Sequence, residues 1–197
     1  VTLDPWAMAP GRLAALAADA AADADLLLVE GVMGLFDGAA DGHGSTGDLA
    51  AALQLPVVLV VDGERQGQSI APLVAGFANW RPDVRVAGVV VNRVATMRHE
   101  TMLRAALAAT GLPVLGVLPR RPALVLPERH LGLVLPAEIE AFAGIVAAAA
   151  EVVADFVDLD RFLALAAPVA AAATPTPRLA PLGQYVAVAR DEAFAFL

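Results

Sequence analysis

The 197-residue chain contains neither cysteine nor lysine. The lack of cysteine excludes disulfides, thiolate metal ligands and a cysteine nucleophile within these residues. All 13 cationic side chains are therefore arginine. A phosphate-binding loop of the form GxxxxGK followed by Ser or Thr is excluded as well, because the lysine that reaches the β- and γ-phosphates is missing.

Basic stripes and long apolar runs are also absent from the sequence. The formal charge of −8 at pH 7 is spread along the chain, which leaves no cationic surface for a phosphate backbone, so a nucleic-acid partner is not expected. No run approaches the roughly 20 apolar residues of a membrane-spanning helix. Nothing at the amino end has the layout of a signal peptide, so we expect a cytoplasmic protein with no membrane partner.

Four apolar runs, each ending in a polar residue, divide the chain. They comprise residues 26–29, 57–61, 86–91 and 114–118. Continuous Val/Leu runs of this kind are typical of strands buried on both faces. Segments of helical composition alternate with them, at residues 10–24, 48–54, 69–80 and 97–110. The alternation predicts an α/β fold with a mostly parallel sheet and flanking helices.

Polar residues follow each of these predicted strands. In open parallel sheets, ligands bind beyond the carboxyl ends of the strands. We therefore expect one edge of the sheet to carry Glu30, Asp62, Asn92 and Arg120.

The last third of the chain is rich in alanine and proline. A long helix is predicted at residues 137–154 and a short one at 158–165. Residues 168–182 carry four prolines among alanines and read as an extended linker, after which a strand is predicted at 185–189. The predicted divisions are a main domain at 1–166, a linker at 167–183 and the start of a second domain at 184–197.

The segment from Glu30 to Asp48 is the richest in candidate chemistry. Its glycines let the backbone turn tightly and approach a ligand, and Glu30 and Asp37 stand seven residues apart after the predicted strand. Carboxylates that face a nucleotide are the usual holders of magnesium, which takes one or two of them together with phosphate oxygens and waters. The alternative is a glycine-rich surface loop with solvated acids.

Residues 29–38 read VEGVMGLFDG, and this segment resembles the signature of the cobyrinic or hydrogenobyrinic acid a,c-diamide synthase family. Further segments are similar to that family in the same order along the chain. They are Leu3–Trp6, Ser45–Thr46 with Asp48, Val57–Asp62 with Gly67–Ser69, Val91–Val94 with Arg98–Glu100, Gly116–Pro119 and Val188–Phe194. The last of these resembles the start of the family's glutamine amidotransferase domain, so the resemblance covers essentially the whole chain.

The resemblance implies an amidoligase that uses ATP and Mg²⁺ to activate the a and c carboxylates of a corrin macrocycle, as acyl phosphates. Glutamine-derived ammonia then amidates them. It also implies a P-loop NTPase fold like that of dethiobiotin synthetase, truncated here at both ends. The family's phosphate-binding loop is expected before Val1, and its glutaminase cysteine and histidine after Leu197. The isolated chain is therefore expected neither to bind ATP tightly nor to hydrolyse glutamine.

The family's functional residues carry over one by one. Glu30 and Asp37 match its two signature acids, so both are assigned to catalysis and to Mg²⁺ binding. The resemblance places Glu30 at the ATP phosphates and Asp37 by the corrin carboxylate, through the metal or by orienting the intermediate. The resemblance implies that three residues contact the nucleotide, namely Asn92, which would lie against the adenine, Asp62 and Pro119. It also implies that four residues face the corrin, namely Asp4, His43, Ser45 and Thr46. From the residues alone, Asp4 fits a turn before Pro5 equally well.

Other polar residues have simpler expectations. Ser69 is predicted to cap the helix that follows it, and His99 and His130 are expected to be surface or hydrogen-bonded residues. No pair of histidines has the spacing of zinc ligands. Four arginines could make bidentate contacts to phosphate or to corrin carboxylates, and a solvated surface position is the default for each of them. They are Arg93, Arg98, Arg120 and Arg121.

Two alternative functions stay open from the sequence. Within the same enzyme class, the nickel-sirohydrochlorin a,c-diamide synthase has a similar signature. A non-catalytic binding module would keep the nucleotide-binding scaffold without its chemistry. The oligomeric state also stays open, with a homodimer as one option.

Overall fold

A three-stranded parallel sheet forms the centre of the fold in this computed structural model, which describes residues 1–124, 136–169 and 180–189. The strands are β1 (Val57–Asp62), β2 (Val86–Val94) and β3 (Val114–Pro119), and β2 lies between the other two. Both strand pairs are parallel. The predicted α/β class, a parallel sheet with flanking helices, is confirmed.

Helices cover the sheet and extend the chain beyond it. They are α1 (Pro10–Ala21), α2 (Thr46–Leu53), α3 (Ile70–Asn79), α4 (Met97–Leu107), α5 (Phe142–Phe156) and α6 (Leu159–Leu163), with short 3₁₀ turns at Ala108–Thr110, Pro122–Leu124 and Pro136–Glu138. Helices α3 and α4 provide the crossovers that parallel strands require. None of the described helices combines the length and apolar character needed to cross a membrane.

The main core lies where α3 and α4 pack on the sheet. From these helices, Ile70, Val74, Leu103 and Leu107 are fully buried. On the sheet they meet Val61, Val89, Val91, Val94 and Val117. Burying this much apolar surface is the main favourable term in folding. The core therefore fixes the three strands whose carboxyl ends carry the predicted polar residues.

A second, smaller core joins α1 to α2. Leu13 of α1 packs with Leu49 and Leu53 of α2. Leu27 and Val29 pack against the same cluster and are partly buried. The segment that precedes Glu30 is thereby held against these two helices.

The strand predicted at residues 26–29 is not formed. Leu27 and Val29 pack on the second core, while the residues between and beside them face solvent. A strand exists only where a neighbour completes its backbone hydrogen bonds, and no such neighbour is present among the described residues. The expectation that Glu30 follows a strand at the sheet edge is therefore wrong for this structure.

The strand predicted at residues 185–189 is also absent. These residues are exposed and have no regular secondary structure. Residues 170–179 and 190–197 lie outside the described part of the chain. The division into a main domain, a linker and the start of a second domain therefore stays a prediction.

Helix α5 is attached to the sheet at β3. Val157, just after the helix, forms an antiparallel bridge to Gly116, and a side chain at Gly116 would meet the Phe156 carbonyl oxygen at 2.8 Å. The Arg121 guanidinium lies 5.8 Å from the centre of the Phe156 ring, a cation–π contact. Arg121, considered for an anion contact, is thus placed against α5. The helix begins at Phe142 rather than at residue 137 as predicted.

Candidate functional site

Three of the predicted nucleotide-binding residues lie at one edge of the sheet. Asp62 at the end of β1 pairs in register with Asn92 of β2, and Pro119 at the end of β3 pairs with Val94. The carboxyl edge of an open parallel sheet is where α/β proteins bind ligands. The strand pattern correctly predicts this common placement, while contact of these residues with a nucleotide stays a prediction.

Two arginines at this edge are held by acids. The Arg93 guanidinium forms an ion pair with Asp62 and lies 3.4 Å from a Glu64 oxygen, and Arg120 lies 2.9 Å from the other Glu64 oxygen. Hydrogen bonds from the Arg93 side chain and from the Glu64 N–H hold the pKa of Asp62 below its usual range. Exposed pairs of this kind add little stability. Arg120 meets Glu64 through Nη1 only, so its other N–H donors are available to a ligand anion without displacement of this acid.

The side-chain amide of Asn92 is oriented by the adjoining backbone. Its Oδ1 accepts a hydrogen bond from the Arg93 N–H at 2.8 Å, and the Asn92 carbonyl accepts one from the Gly63 N–H at 2.7 Å. Arg93 adopts a left-handed φ of 60° at this point. The Nδ2 group has no hydrogen-bond partner among the described residues, so its two N–H donors are available to a ligand.

The glycine-rich segment forms a loop of residues 30–44, called the carboxylate loop below. Glu30, Asp37 and His43 are exposed, and within the described residues their side chains make no hydrogen bond or ion pair. The Asp37 carboxylate lies against Gly34, where an added side chain would overlap it. The Asp37 N–H also donates to the Gly34 carbonyl at 3.0 Å. The loop thus presents two free carboxylates, one of them packed on its own backbone.

The carboxylate loop ends at a capping box on α2. Ser45 is only 1% exposed, and its hydroxyl accepts a hydrogen bond from the Asp48 N–H at 3.1 Å. The Asp48 carboxylate in turn accepts from the N–H groups of Gly44 and Ser45, at 2.8 and 3.1 Å. This reciprocal arrangement satisfies backbone donors that a helix start leaves unpaired. Ser45 therefore has a structural role, and its contact with a substrate stays a prediction.

Two further contacts hold the loop against α2. The side chain of Thr46 packs over Gly31, directly after Glu30. The Gly47 N–H donates to the Leu35 carbonyl at 2.7 Å. Thr46 is thus close to the first acid of the loop, while its predicted substrate contact stays untested.

Asp4 shapes a turn that holds Trp6 beside the loop. Its Oδ1 accepts hydrogen bonds from the N–H groups of Trp6 and Ala7, at 2.9 and 3.1 Å. The Trp6 backbone and Cβ lie against Gly44, although Trp6 as a whole is 71% exposed. Asp4 therefore serves as a turn acid, and its corrin contact stays a prediction. The sequence did not single out Trp6, because nothing local distinguishes an exposed tryptophan from a buried one.

Gly44→Ala is expected to lower the free energy of unfolding by about 1–3 kcal/mol more than Gly42→Ala. Both glycines have left-handed φ values, +83° and +82°, so both substitutions introduce similar backbone strain. An added Cβ at Gly44 would lie 2.6 Å from the Trp6 Cβ, whereas one at Gly42 meets nothing within 4 Å. Urea denaturation of the two variants measures the difference, and equal losses would contradict the Trp6 contact.

Arg81 reaches the capping box from the connection between α3 and β2. Its Nη1 donates to Asp48 Oδ1 at 2.5 Å, while Nε and Nη2 donate to Asp83 at 3.0 and 2.6 Å. Burial alone raises the pKa of Asp48, but hydrogen bonds from Arg81 and Ser45 outweigh burial and leave it below the usual value. Arg81 and Asp48 lie 33 residues apart in the chain, and no local sequence pattern predicts their contact.

The remaining predictions concern residues away from the loop. His99 Nε2 lies 2.8 Å from the Gln66 carbonyl oxygen, so this histidine is hydrogen-bonded as expected. Ser69 occupies the N-cap position of α3 but makes no capping hydrogen bond, because its backbone is already helical with φ −63° and ψ −10°. The predicted cap is therefore wrong. Arg98 has no ion-pair partner among the described residues, and His130 lies outside them.

A magnesium site requires few protein ligands. In the part of the chain that the structure describes, no group of three or more His, Asp or Glu side chains is arranged to hold an ion. Magnesium, however, commonly takes only one or two carboxylates and completes its shell with phosphate oxygens and waters. Glu30 and Asp37 are exposed and, within the described residues, unpaired, so they have the chemistry of such ligands, while Mg²⁺ binding by them stays a prediction.

Comparison with known proteins identifies the family. A family model described as an AAA domain matches residues 8–128. The chain belongs to this AAA domain family. No solved structure matches it significantly.

Among individual proteins, the chain is similar to several hydrogenobyrinate a,c-diamide synthases. The hydrogenobyrinate a,c-diamide synthases of Brucella suis biovar 1 (strain 1330) and Rhizobium meliloti (strain 1021) are 53% and 55% identical over 197 and 193 residues. The protein of the same name from Mesorhizobium japonicum is 47% identical over 201 residues, covering 100% of this chain and 46% of its own length. The resemblance to a,c-diamide synthases predicted from the signature segment is confirmed.

The chain spans just under half the length of these relatives. The first two alignments cover 98% of this chain and 45% of each relative. The residues that match the AAA domain include no lysine, since the chain has none.

Proposed function

We propose that the chain is part of an ATP-dependent, glutamine-using enzyme that amidates the a and c carboxylates of hydrogenobyrinic or cobyrinic acid. The observation that carries this proposal is its 53% identity to a hydrogenobyrinate a,c-diamide synthase over 98% of the chain. The two free carboxylates of the carboxylate loop support it, because both belong to the family's signature segment. The described residues would supply the metal-, adenine- and corrin-facing parts of the site.

Glu30 would hold Mg²⁺ at the nucleotide phosphates, and Asp37 would hold it by the corrin carboxylate. Neither carboxylate has a partner within the described residues, so no ion pair must break before an ion binds. When bound, Mg²⁺ neutralises charge that develops on a transferred phosphoryl group. The contact of the Asp37 carboxylate with Gly34 limits where this acid can lie. Such preorganisation favours charge stabilisation in the transition state.

The adenine base is assigned to Asn92. Its Nδ2, which has no partner in the described part of the chain, can donate to a ring nitrogen. Its Oδ1 accepts one hydrogen bond from the Arg93 N–H and has a second lone pair for the exocyclic amine. Pro119 would adjoin the base from the neighbouring strand end. Asp62 would contribute through its ion pair with Arg93, which shapes the same edge.

The corrin carboxylates are assigned to the carboxylate loop and its surroundings. His43 is the best placed of the four predicted residues, because its exposed side chain has no partner within the described residues. Asp4 and Ser45 already use their side-chain oxygens in a turn and a cap, so they would act by fixing the backbone. Thr46 would lie near the substrate because its side chain packs on Gly31, next to Glu30. Ammonia from glutamine hydrolysis would then displace phosphate from the activated carboxylate.

A full-length protein containing this chain should convert two carboxylates of hydrogenobyrinic acid into amides. Mass spectrometry detects both conversions, and the reaction should require ATP, Mg²⁺ and glutamine. Parallel reactions with cobyrinic acid and nickel-sirohydrochlorin, at equal concentrations, compare the three tetrapyrroles. An ammonium salt in place of glutamine is the control that separates amidation from glutamine hydrolysis.

Two outcomes would change the proposal. Failure to amidate any of the three tetrapyrroles, even with ammonium, would favour a non-catalytic binding module. Faster conversion of the nickel tetrapyrrole would move the assignment to a nickel-sirohydrochlorin a,c-diamide synthase. Loss of the glutamine-dependent reaction alone would leave the assignment of the present chain intact.

A further inference from the structure

The carboxylate loop is fastened at its carboxyl end by one acid, Asp48. One oxygen of this carboxylate, Oδ2, accepts from the N–H groups of Gly44 and Ser45 at 2.8 and 3.1 Å. The other oxygen, Oδ1, accepts from Arg81 at 2.5 Å. The two oxygens thus bind different parts of the chain. Oδ2 binds the end of the loop, and Oδ1 binds a distant residue.

The Arg81 guanidinium is also held by a second acid, Asp83. Two of its nitrogens donate to the two oxygens of Asp83, a bidentate contact that sets the plane of the group. Nη1 is then directed at Asp48. The side chains of Arg81 and Asp48 are 29% and 25% exposed, so this pair is better shielded from water than the Arg93 pair at the sheet edge. Shielding strengthens an ion pair relative to a fully solvated one.

The position of Gly44 matters for the whole loop. Gly44 has a φ of +83° and packs on Trp6, so its backbone has little room to move while the cap is intact. It directly follows His43, whose carbonyl accepts from the Ala39 N–H at 2.8 Å and closes the distal part of the loop. A rotation of the Asp48 carboxylate would release both loop amides together.

We propose that Arg81 is a positioning residue of this site. By holding Oδ1 of Asp48, it keeps Oδ2 on the amides of Gly44 and Ser45 and so fixes the carboxylate loop. The benefit to amidation rests on the proposed function, whereas the positioning itself does not.

Amide hydrogen exchange at Gly44 and Ser45, measured by NMR on the 197-residue chain, tests this role. Arg81→Met keeps the aliphatic stem and removes the charge, and we expect exchange at both amides to become about tenfold faster. Arg81→Lys restores a charge and should recover part of the protection. Arg85→Met is the matched control, because Arg85 is exposed and its side chain has no ion-pair partner in the described part of the chain, so both amides should keep the wild-type rate.

Two results would overturn the role of Arg81. One is unchanged exchange at both amides in Arg81→Met, and the other is an equal acceleration throughout α2 and β2, which would indicate a general loss of stability. In the full-length protein, Arg81→Met should lower kcat for amidation more than it raises KM for ATP, with Arg85→Met close to wild type. If the wild-type protein amidates no tetrapyrrole, the proposed function fails, while the exchange measurement still decides whether Arg81 positions the loop.

Discussion

Glu30→Gln in a full-length protein is expected to lower the rate of ATP-dependent amidation by about 100- to 1000-fold. Glutamine keeps the size of the side chain and removes the negative charge that would bind Mg²⁺. The fold should be unaffected, because Glu30 is exposed and its side chain makes no hydrogen bond or ion pair within the described residues. Steady-state amidation at saturating ATP gives the rate, and circular dichroism verifies the fold.

Asp37→Asn is expected to differ from Glu30→Gln in its effect on ATP affinity. It should impair amidation while ATP affinity is kept, because Asp37 is assigned nearer to the corrin carboxylate. Asp41→Asn is the matched control on the same loop, where the carboxylate accepts the His43 N–H at 3.1 Å. Equal losses of ATP affinity in the Glu30 and Asp37 variants would show that the two acids do not divide their roles in this way.

The sheet could be predicted because its strands are continuous runs rich in valine, although burial on both faces is wrong for β1, where Val60 is 63% exposed. Valine runs mark β1, β2 and β3 without reference to distant residues, and their observed starts agree with the runs. The end of β2 was placed too early, at residue 91. The strand continues through two polar residues to Val94, which is buried and pairs with Pro119 across a break in register. Polar residues inside a strand end are therefore compatible with continued pairing.

The wrong strand at residues 26–29 and the missed contact of Arg81 share a physical cause, which is dependence on distant partners. Residues 26–29 have the composition of a strand, but strand formation depends on a neighbour that local composition does not reveal. Arg81 could not be recognised either, since its contact with Asp48 spans 33 residues. The capping box, in contrast, is local, and a serine followed three residues later by an acid is its sequence signature.

Leu103→Ala is expected to lower the free energy of unfolding by about 2–5 kcal/mol. Leu103 is 0% exposed and lies in the core between α4 and the sheet, so truncation leaves a cavity that the surrounding valines can fill only in part. Leu73→Ala on α3 is the matched control. Leu73 is 40% exposed, and its truncation should cost less than about 1 kcal/mol.

Urea denaturation of the Leu103 and Leu73 variants, followed by circular dichroism, measures both losses. A large loss of unfolding free energy for Leu103→Ala alone would show that the contact between the sheet and α4 contributes strongly to stability. Helix α4 follows the strand end that bears Asn92. The candidate nucleotide edge would then depend on a core that contributes no atom to ligand binding. Equal losses in the two variants would mean that α4 does not cover the sheet as described, and the placement of Asn92 at the edge would lose its support.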